Sequence, residues 1–181
     1  MFRNTLLAGV LAGASIVALA QVDTWAINSA WVDSAIVECQ STTDDLTACQ
    51  SFTPAALEKL FSIADFVMES RVMIAAEIAT EMQRHPETWQ SLGAASDQAV
   101  LDKAHELASA GNAVIAIQSV DGLGQAAIIM PGQPVPSGKW EMERVPLAAA
   151  ARVDSPESSI YGKSISWVFS NPQLVTLFVK L

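Results

Sequence analysis

Along the first part of the chain, apolar positions recur at helical spacing. Trp25, Val32 and Ile36 fall near one face of a first helix, which the polar stretch ECQSTTDDLTACQS (residues 38–51) interrupts. Thr53-Pro54 reads as a helix start: an N-cap residue is followed by a proline whose missing N–H costs nothing at the first helical position. From there to Arg84, apolar residues at 57, 60, 61, 64, 67, 68, 74, 75 and 78 keep the three-four spacing of a buried stripe. That spacing predicts one long second helix, closed at His85-Pro86, where the residue before proline is driven out of helical geometry. A third helix is predicted from a Ser96 cap through residues 97–110, with Gly111 as its stop.

After Gly111 the segments are short and β-branched. Strands are predicted at 113–120 (AVIAIQSV), 125–130 (QAAIIM), 139–145, where Trp140, Met142 and Val145 alternate with charged neighbours, 165–169 (ISWVF) and 174–179 (LVTLFV). Residues 121–124 (DGLG) carry turn chemistry, and Asn171-Pro172 separates the last two strands. The segment 131–138 (PGQPVPSG) reads as a loop that no helix or central strand could contain. Helices first and a small antiparallel sheet second is an α+β architecture. There is no internal repeat or low-complexity linker, so residues 21–181 read as one domain.

Composition adds a compartment. The chain is 181 residues long, 51% hydrophobic and 16% charged, with a mean hydropathy of +0.31. Part of that excess lies in residues 1–20, MFRNTLLAGVLAGASIVALA: one arginine, an apolar run, then small residues ending in Ala18-Leu19-Ala20. This is the order of a secretory signal peptide, with cleavage expected after Ala20 and a secreted or periplasmic mature protein. The apolar run is shorter than the about 20 residues of a retained span. The formal net charge is −9, and it becomes one unit more negative when Arg3 leaves with the leader. Such a field repels nucleic-acid phosphates and anionic lipid, and no lysine/arginine cluster interrupts it. Neither nucleic acid nor, after cleavage, a membrane is an expected partner.

Cys39 and Cys49 are the only cysteines. In an oxidising compartment such a pair reads first as a disulfide closing a small loop, stabilising by about 2–3 kcal/mol through the unfolded chain. The alternative is that one of them is a nucleophile. Two cysteines and two distant histidines, His85 and His105, have no metal-ligand spacing, and no phosphate loop or nucleophile elbow is present. No metal and no cofactor is expected.

The stretch GNAVIAIQSVDGLGQAAIIMPGQPVPSGKWEMERVP (residues 111–146) resembles the core of the papain-like NlpC/P60 and CHAP hydrolases, which include secreted peptidoglycan amidases. In those families a strand of the type G-x-V-V-A precedes a turn and a second strand opening G-H-V-A-I-V-x-P-G. The resemblance spans Ala104 to Leu181, and the helices preceding the sheet fit it. It implies a cysteine at the start of a buried helix facing the hairpin, activated by the histidine that follows the glycine. Here Gly124 is followed by Gln125, whose carboxamide cannot take up a proton near neutral pH but can hydrogen-bond a ligand. The best local match to the nucleophile helix, residues 61–67 (FSIADFV), has Ser62 and Ile63 where a cysteine would stand.

Other acid–base candidates are scattered. His85 lies at a helix end, where the dipole favours it, and His105 lies mid-helix. Asp44, Asp45, Glu141 and Glu143 read as solvated carboxylates. Of the five tryptophans (25, 31, 89, 140 and 167), Trp140 follows the Pro/Gly loop beside the Gln125 hairpin, where an exposed indole could stack on a sugar or peptide. The expectation is therefore a secreted, non-catalytic papain-like domain, binding a cell-wall peptide or glycan, or a protein partner, through Gln125 and Trp140. The alternatives are an active cysteine amidase of peptidoglycan using Cys39 or Cys49, and an unrelated periplasmic binding or inhibitor protein.

Overall fold

A computed structural model describes residues 24–42, 45–119 and 124–181. The expected leader (1–20), Asp44 and most of the 121–124 turn lie outside the described residues, as does the side chain of Trp25. The elements in order are α1 (Thr24–Ser41), α2 (Thr47–Phe61), α3 (Ala75–Arg84), β1 (Trp89–Ala94), α4 (Gln98–Ser109), β2 (Val114–Gln118), β3 (Gln125–Ile129), β4 (Val135–Ser137), β5 (Met142–Val145), β6 (Leu147–Ala150), β7 (Ile160–Ser164) and β8 (Val175–Lys180). The fold is α+β, with helices mostly N-terminal to the sheet.

Six strands form one antiparallel sheet in the order β1-β8-β2-β3-β6-β7, while β4 and β5 pair separately. The last strand, β8, therefore lies inside the sheet between β1 and β2. Both faces of the centre are covered. Ile115, Ile117, Ile128 and Phe178 pack with Val32, Phe52, Leu57, Ile78 and Met82 of α1–α3. Val114, Ala116, Ala127, Ile129 and Leu177 pack with Leu101 and Ala104 of α4 and with Trp140. Successive strand residues point to opposite faces, so a strand covered on both sides reads as a continuous apolar run, as β2 and β3 do.

The long second helix predicted from Thr53 to Arg84 is two helices and a loop. It starts earlier than Thr53, where Asp45 accepts hydrogen bonds from the Thr47 N–H (3.0 Å) and hydroxyl (2.5 Å). Pro54 is thus inside α2, and it deprives the Gln50 carbonyl of the amide four residues on. The helix ends at Ser62, a left-handed residue (φ 58°) whose N–H bonds the Glu58 carbonyl at 2.9 Å. Beyond it, Ala64, Val67 and Met68 of the expected stripe are exposed, and Phe66 is buried instead. Tertiary anchoring decides this: Phe66 packs on Trp89 (centroids 5.3 Å apart), and Asp65 accepts from Trp89 Nε1 (3.0 Å) and Lys180 Nζ (2.6 Å).

Other elements differ from expectation in smaller ways. The cap of α4 is Asp97, accepting from Ala99 N–H at 2.9 Å, rather than Ser96. Residues 165–169 are not a strand: Ile165–Trp167 is a 3-10 turn, capped by the Ser164 hydroxyl accepting from Ser166 N–H. Part of the Pro/Gly loop is β4, at the edge of a two-stranded ribbon where proline is tolerated. Strands β1, β6 (LAAA) and β7 (IYGKS) are not apparent in the sequence pattern, because alanine- and glycine-containing segments carry little intrinsic strand preference.

Candidate functional site

Two concave features matter: a small cavity at the start of β3, and an open groove between the β4–β5 ribbon and the end of β7.

Gln125 is the first residue of β3, paired with Gln118 and half-buried. Its Nε2 donates to the carbonyls of Ala151 (3.1 Å) and Ala126 (3.3 Å). Beside it is a cavity of about 30 Å³ whose walls include Cys49, Gln50, Thr53, Ile78 and Gly124. That volume holds a water or two and no peptide or sugar ring. Gly124 has φ +67°, and a Cβ there would meet the Ala76 backbone nitrogen at 3.0 Å and the Gln118 carbonyl at 3.1 Å. Glycine is therefore required where α3 closes on the hairpin, independently of any chemistry.

Cys39 and Cys49 form a disulfide (S–S 2.03 Å), as the spacing and the paired count suggest. Their surroundings are not the polar loop that the sequence implies: both are buried, Cys39 near the end of α1 and Cys49 in the first turn of α2. The bond holds two helix ends in the core, and Ser159 Oγ lies 3.2 Å from Cys39 Sγ. Gln40 Nε2 donates to the Ser159 carbonyl at 2.9 Å, fastening the β6–β7 connection to the same corner.

Ser62 and Ile63 are elsewhere. They border a surface depression with Gly111, Asn112 and Leu181, at the other end of α2 from Gln125. At roughly 1.5 Å per residue, the stretch from Gln50 to Ser62 spans about 18 Å, far beyond hydrogen-bond reach. The α2 residues that line the cavity beside Gln125 are Cys49, Gln50 and Thr53, and residues 61–67 do not line it. The polar stretch 38–51, expected as a loop, is helical at both ends, in α1 and α2.

The histidines stand apart from the cysteines. His85 Nε2 is 3.1 Å from Glu81 Oε1, and its Nδ1 is 3.0 Å from Glu87 Oε1, at the exposed end of α3. His105 Nε2 is 2.7 Å from the Gly132 carbonyl and 3.2 Å from Ser109 Oγ, latching α4 to the loop before β4. Asp45 stands just before α2, where its bonds to the Thr47 hydroxyl and amide lower its pKa. Glu143 is exposed, with Arg144 Nη1 3.7 Å away, and Glu141 occupies a left-handed turn position (φ 55°). Among the described residues no group of three or more His, Cys, Asp or Glu side chains could hold a metal ion.

Trp140 is not the exposed indole that its neighbourhood in sequence suggested. It is 5% exposed, and its Nε1 donates to the Phe169 carbonyl at 3.1 Å. The turn through Glu141 directs it inward, with its N–H bonded to Ser137 Oγ. Among the tryptophans whose side chains are described, Trp167 is the outward one, 65% exposed, because the 3-10 turn replaces the expected strand. It borders the open groove, about 740 Å³, with Val135, Lys139, Leu147, Lys163 and Ser166 among the lining residues. Lys163 Nζ lies 5.4 Å from the Trp167 ring centroid, and Lys139 Nζ donates to the Ser166 carbonyl at 3.2 Å. Alternation arguments could not find this pair, since the turn interrupts the alternation.

No described helix is long and apolar enough to cross a membrane. No protein-family model matches the sequence, and no curated protein matches it.

Proposed function

We propose that the chain is a secreted or periplasmic binding domain on a papain-like scaffold, its catalytic pair disabled, acting on a cell-wall peptide or glycan fragment, or a protein partner, by recognition alone. The observation that carries this reading is the cavity that Cys49 shares with Gln125. The NlpC/P60 and CHAP resemblance implies a cysteine at a helix start facing a base on the hairpin strand. Cys49, near the start of α2, and Gln125, at the start of β3, stand in that relation. Neither can act: the Cys49 sulfur is bonded to Cys39, and the carboxamide of Gln125 is no base. The disulfide also fits an oxidising compartment.

The rival reading, an active amidase, gains one point from the same cavity: Cys49 rather than Cys39 would be its nucleophile, released by reduction. Murein peptides incubated with oxidised and with reduced protein separate the two. We expect no turnover in either state, because reduction restores a thiol but no base. Cleavage by the reduced parent, abolished by Cys49→Ser, would establish the amidase and end the non-catalytic reading. The double variant Cys39→Ser/Gln125→His, which frees the thiol and supplies an imidazole, is the informative companion.

A further inference from the structure

The open groove differs in charge from the rest of the molecule. The chain has 19 acidic and 10 basic residues, so a cation has an excess of carboxylates to pair with. Most described cations do so: Arg71 with Glu77, Lys103 with Glu106, Arg144 with Asp102, Arg152 with Asp154 and Lys180 with Asp65. No ion pair is seen for Lys59, Lys139 or Lys163 among the described residues, and two of these three, Lys139 and Lys163, line this groove, which no described carboxylate lines. Lys139 uses one N–H on the Ser166 carbonyl, leaving two donors. Lys163 sits by the Trp167 ring, a cation–π arrangement that leaves its ammonium donors turned to solvent.

The remaining lining narrows the ligand. The hydroxyls of Ser164 and Ser166 bond each other at 2.8 Å, Ser137 Oγ accepts from the Trp140 N–H, and all three side chains are buried. No carboxylate or carboxamide side chain is available to bind paired sugar hydroxyls. What faces outward is two ammoniums, an indole, and the apolar side chains of Val135 and Leu147. A volume of about 740 Å³ suits a few residues of extended chain.

We propose that this groove is a binding site for a short acidic peptide segment, its carboxylates paired with Lys139 and Lys163 and its apolar side chains set against Trp167 and Val135. The assignment rests on the reading of the chain as a binding domain and names the chemistry of what it binds. Opposite charges in an otherwise repulsive field set both orientation and selectivity, since acidic chains are turned away elsewhere on the surface.

The test uses a fluorescein-labelled hexapeptide alternating glutamate and valine, its glutamine–valine counterpart, and fluorescence anisotropy with the mature protein. The acidic peptide should bind and weaken as salt is raised, and the glutamine peptide should bind about tenfold more weakly or worse. Lys139→Met/Lys163→Met keeps the aliphatic stems and should lose about tenfold or more; Trp167→Ala should also weaken binding. All three side chains are exposed, and an unchanged unfolding midpoint verifies that each variant folds. Absence of binding, equal binding of the glutamine peptide, variants that bind like the parent, or displacement by triacetylchitotriose would each overturn the proposal. Murein turnover by the parent would instead overturn the non-catalytic reading, so the two failures are distinct.

Discussion

Lys180 Nζ donates to Asp65 Oδ2 at 2.6 Å, joining the last residue of β8 to the loop after α2 across 115 positions of sequence. The same carboxylate accepts from Trp89 Nε1 at 3.0 Å, and Lys180 Nζ lies 5.4 Å from the Trp89 ring centroid. One acidic side chain thus holds the chain where a continuous helix would otherwise run, and brings Phe66 onto Trp89. Partial burial pulls the Asp65 pKa upward, but the hydrogen bonds from Lys180 and Trp89 outweigh it and hold the group below its ordinary 3.8.

A folded-state pKa below the unfolded one contributes stability that is fully present above the unfolded value and is lost as pH falls through the folded value. Asp65→Asn should therefore lower stability at neutral pH by about 1–2 kcal/mol. The difference between parent and variant should shrink as pH falls below 3.8. Urea denaturation at neutral and at strongly acidic pH checks this; a difference that did not depend on pH would show that the charge of Asp65 is not the operative element.

The disulfide makes a chemical prediction. Alkylation of unreduced, denatured protein should add no label, and alkylation after reduction should add label at both Cys39 and Cys49. Replacing both cysteines by alanine should cost about 2–3 kcal/mol, to be read from the shift in urea midpoint. Label on the unreduced protein would contradict the bond.

Trp140 and Trp167 should respond oppositely to truncation. Trp140→Ala removes a buried indole and its hydrogen bond to Phe169, at a cost of about 3–5 kcal/mol. Trp167→Ala removes an exposed ring and should change stability by less than about 0.5 kcal/mol. Thermal unfolding of the two variants beside the parent distinguishes a structural indole from one free for ligand contact.

Ser62 provides a backbone test. A residue bearing a Cβ in the left-handed region costs about 1–2 kcal/mol, so Ser62→Gly should raise stability by a fraction of that, and Ser62→Val should lower it. A continuous helix through residue 62 would give the reverse order, with glycine the more destabilising. Chemical denaturation of the pair decides between them.

The apolar periodicity around residues 57–61, the β-branched run 113–118, the 125–130 strand and the paired cysteines were each readable because each depends on local pattern or on residue count. A count of two cysteines is enough to suggest a disulfide, and a buried strand announces itself by its composition. The expected leader rests on a local pattern as well, in residues outside those described.

What the chain pattern left open was decided by contacts between residues far apart. Whether the stripe beyond Phe61 continues as helix depends on Trp89 and Lys180 capturing Asp65 and Phe66. Whether Trp140 or Trp167 faces outward depends on two tight turns that invert the expected alternation. Strand β6 is alanine-rich and β7 contains a glycine, so they are strands because the sheet supplies their hydrogen-bond partners, not because of intrinsic preference. The meeting of Cys49 with Gln125 follows from α2 starting at Thr47 and packing beside β3, a matter of helix placement that no spacing in sequence encodes. Local patterns arise from each residue's own conformational and hydration preferences, while the cavity and the groove exist only once separate elements are packed together.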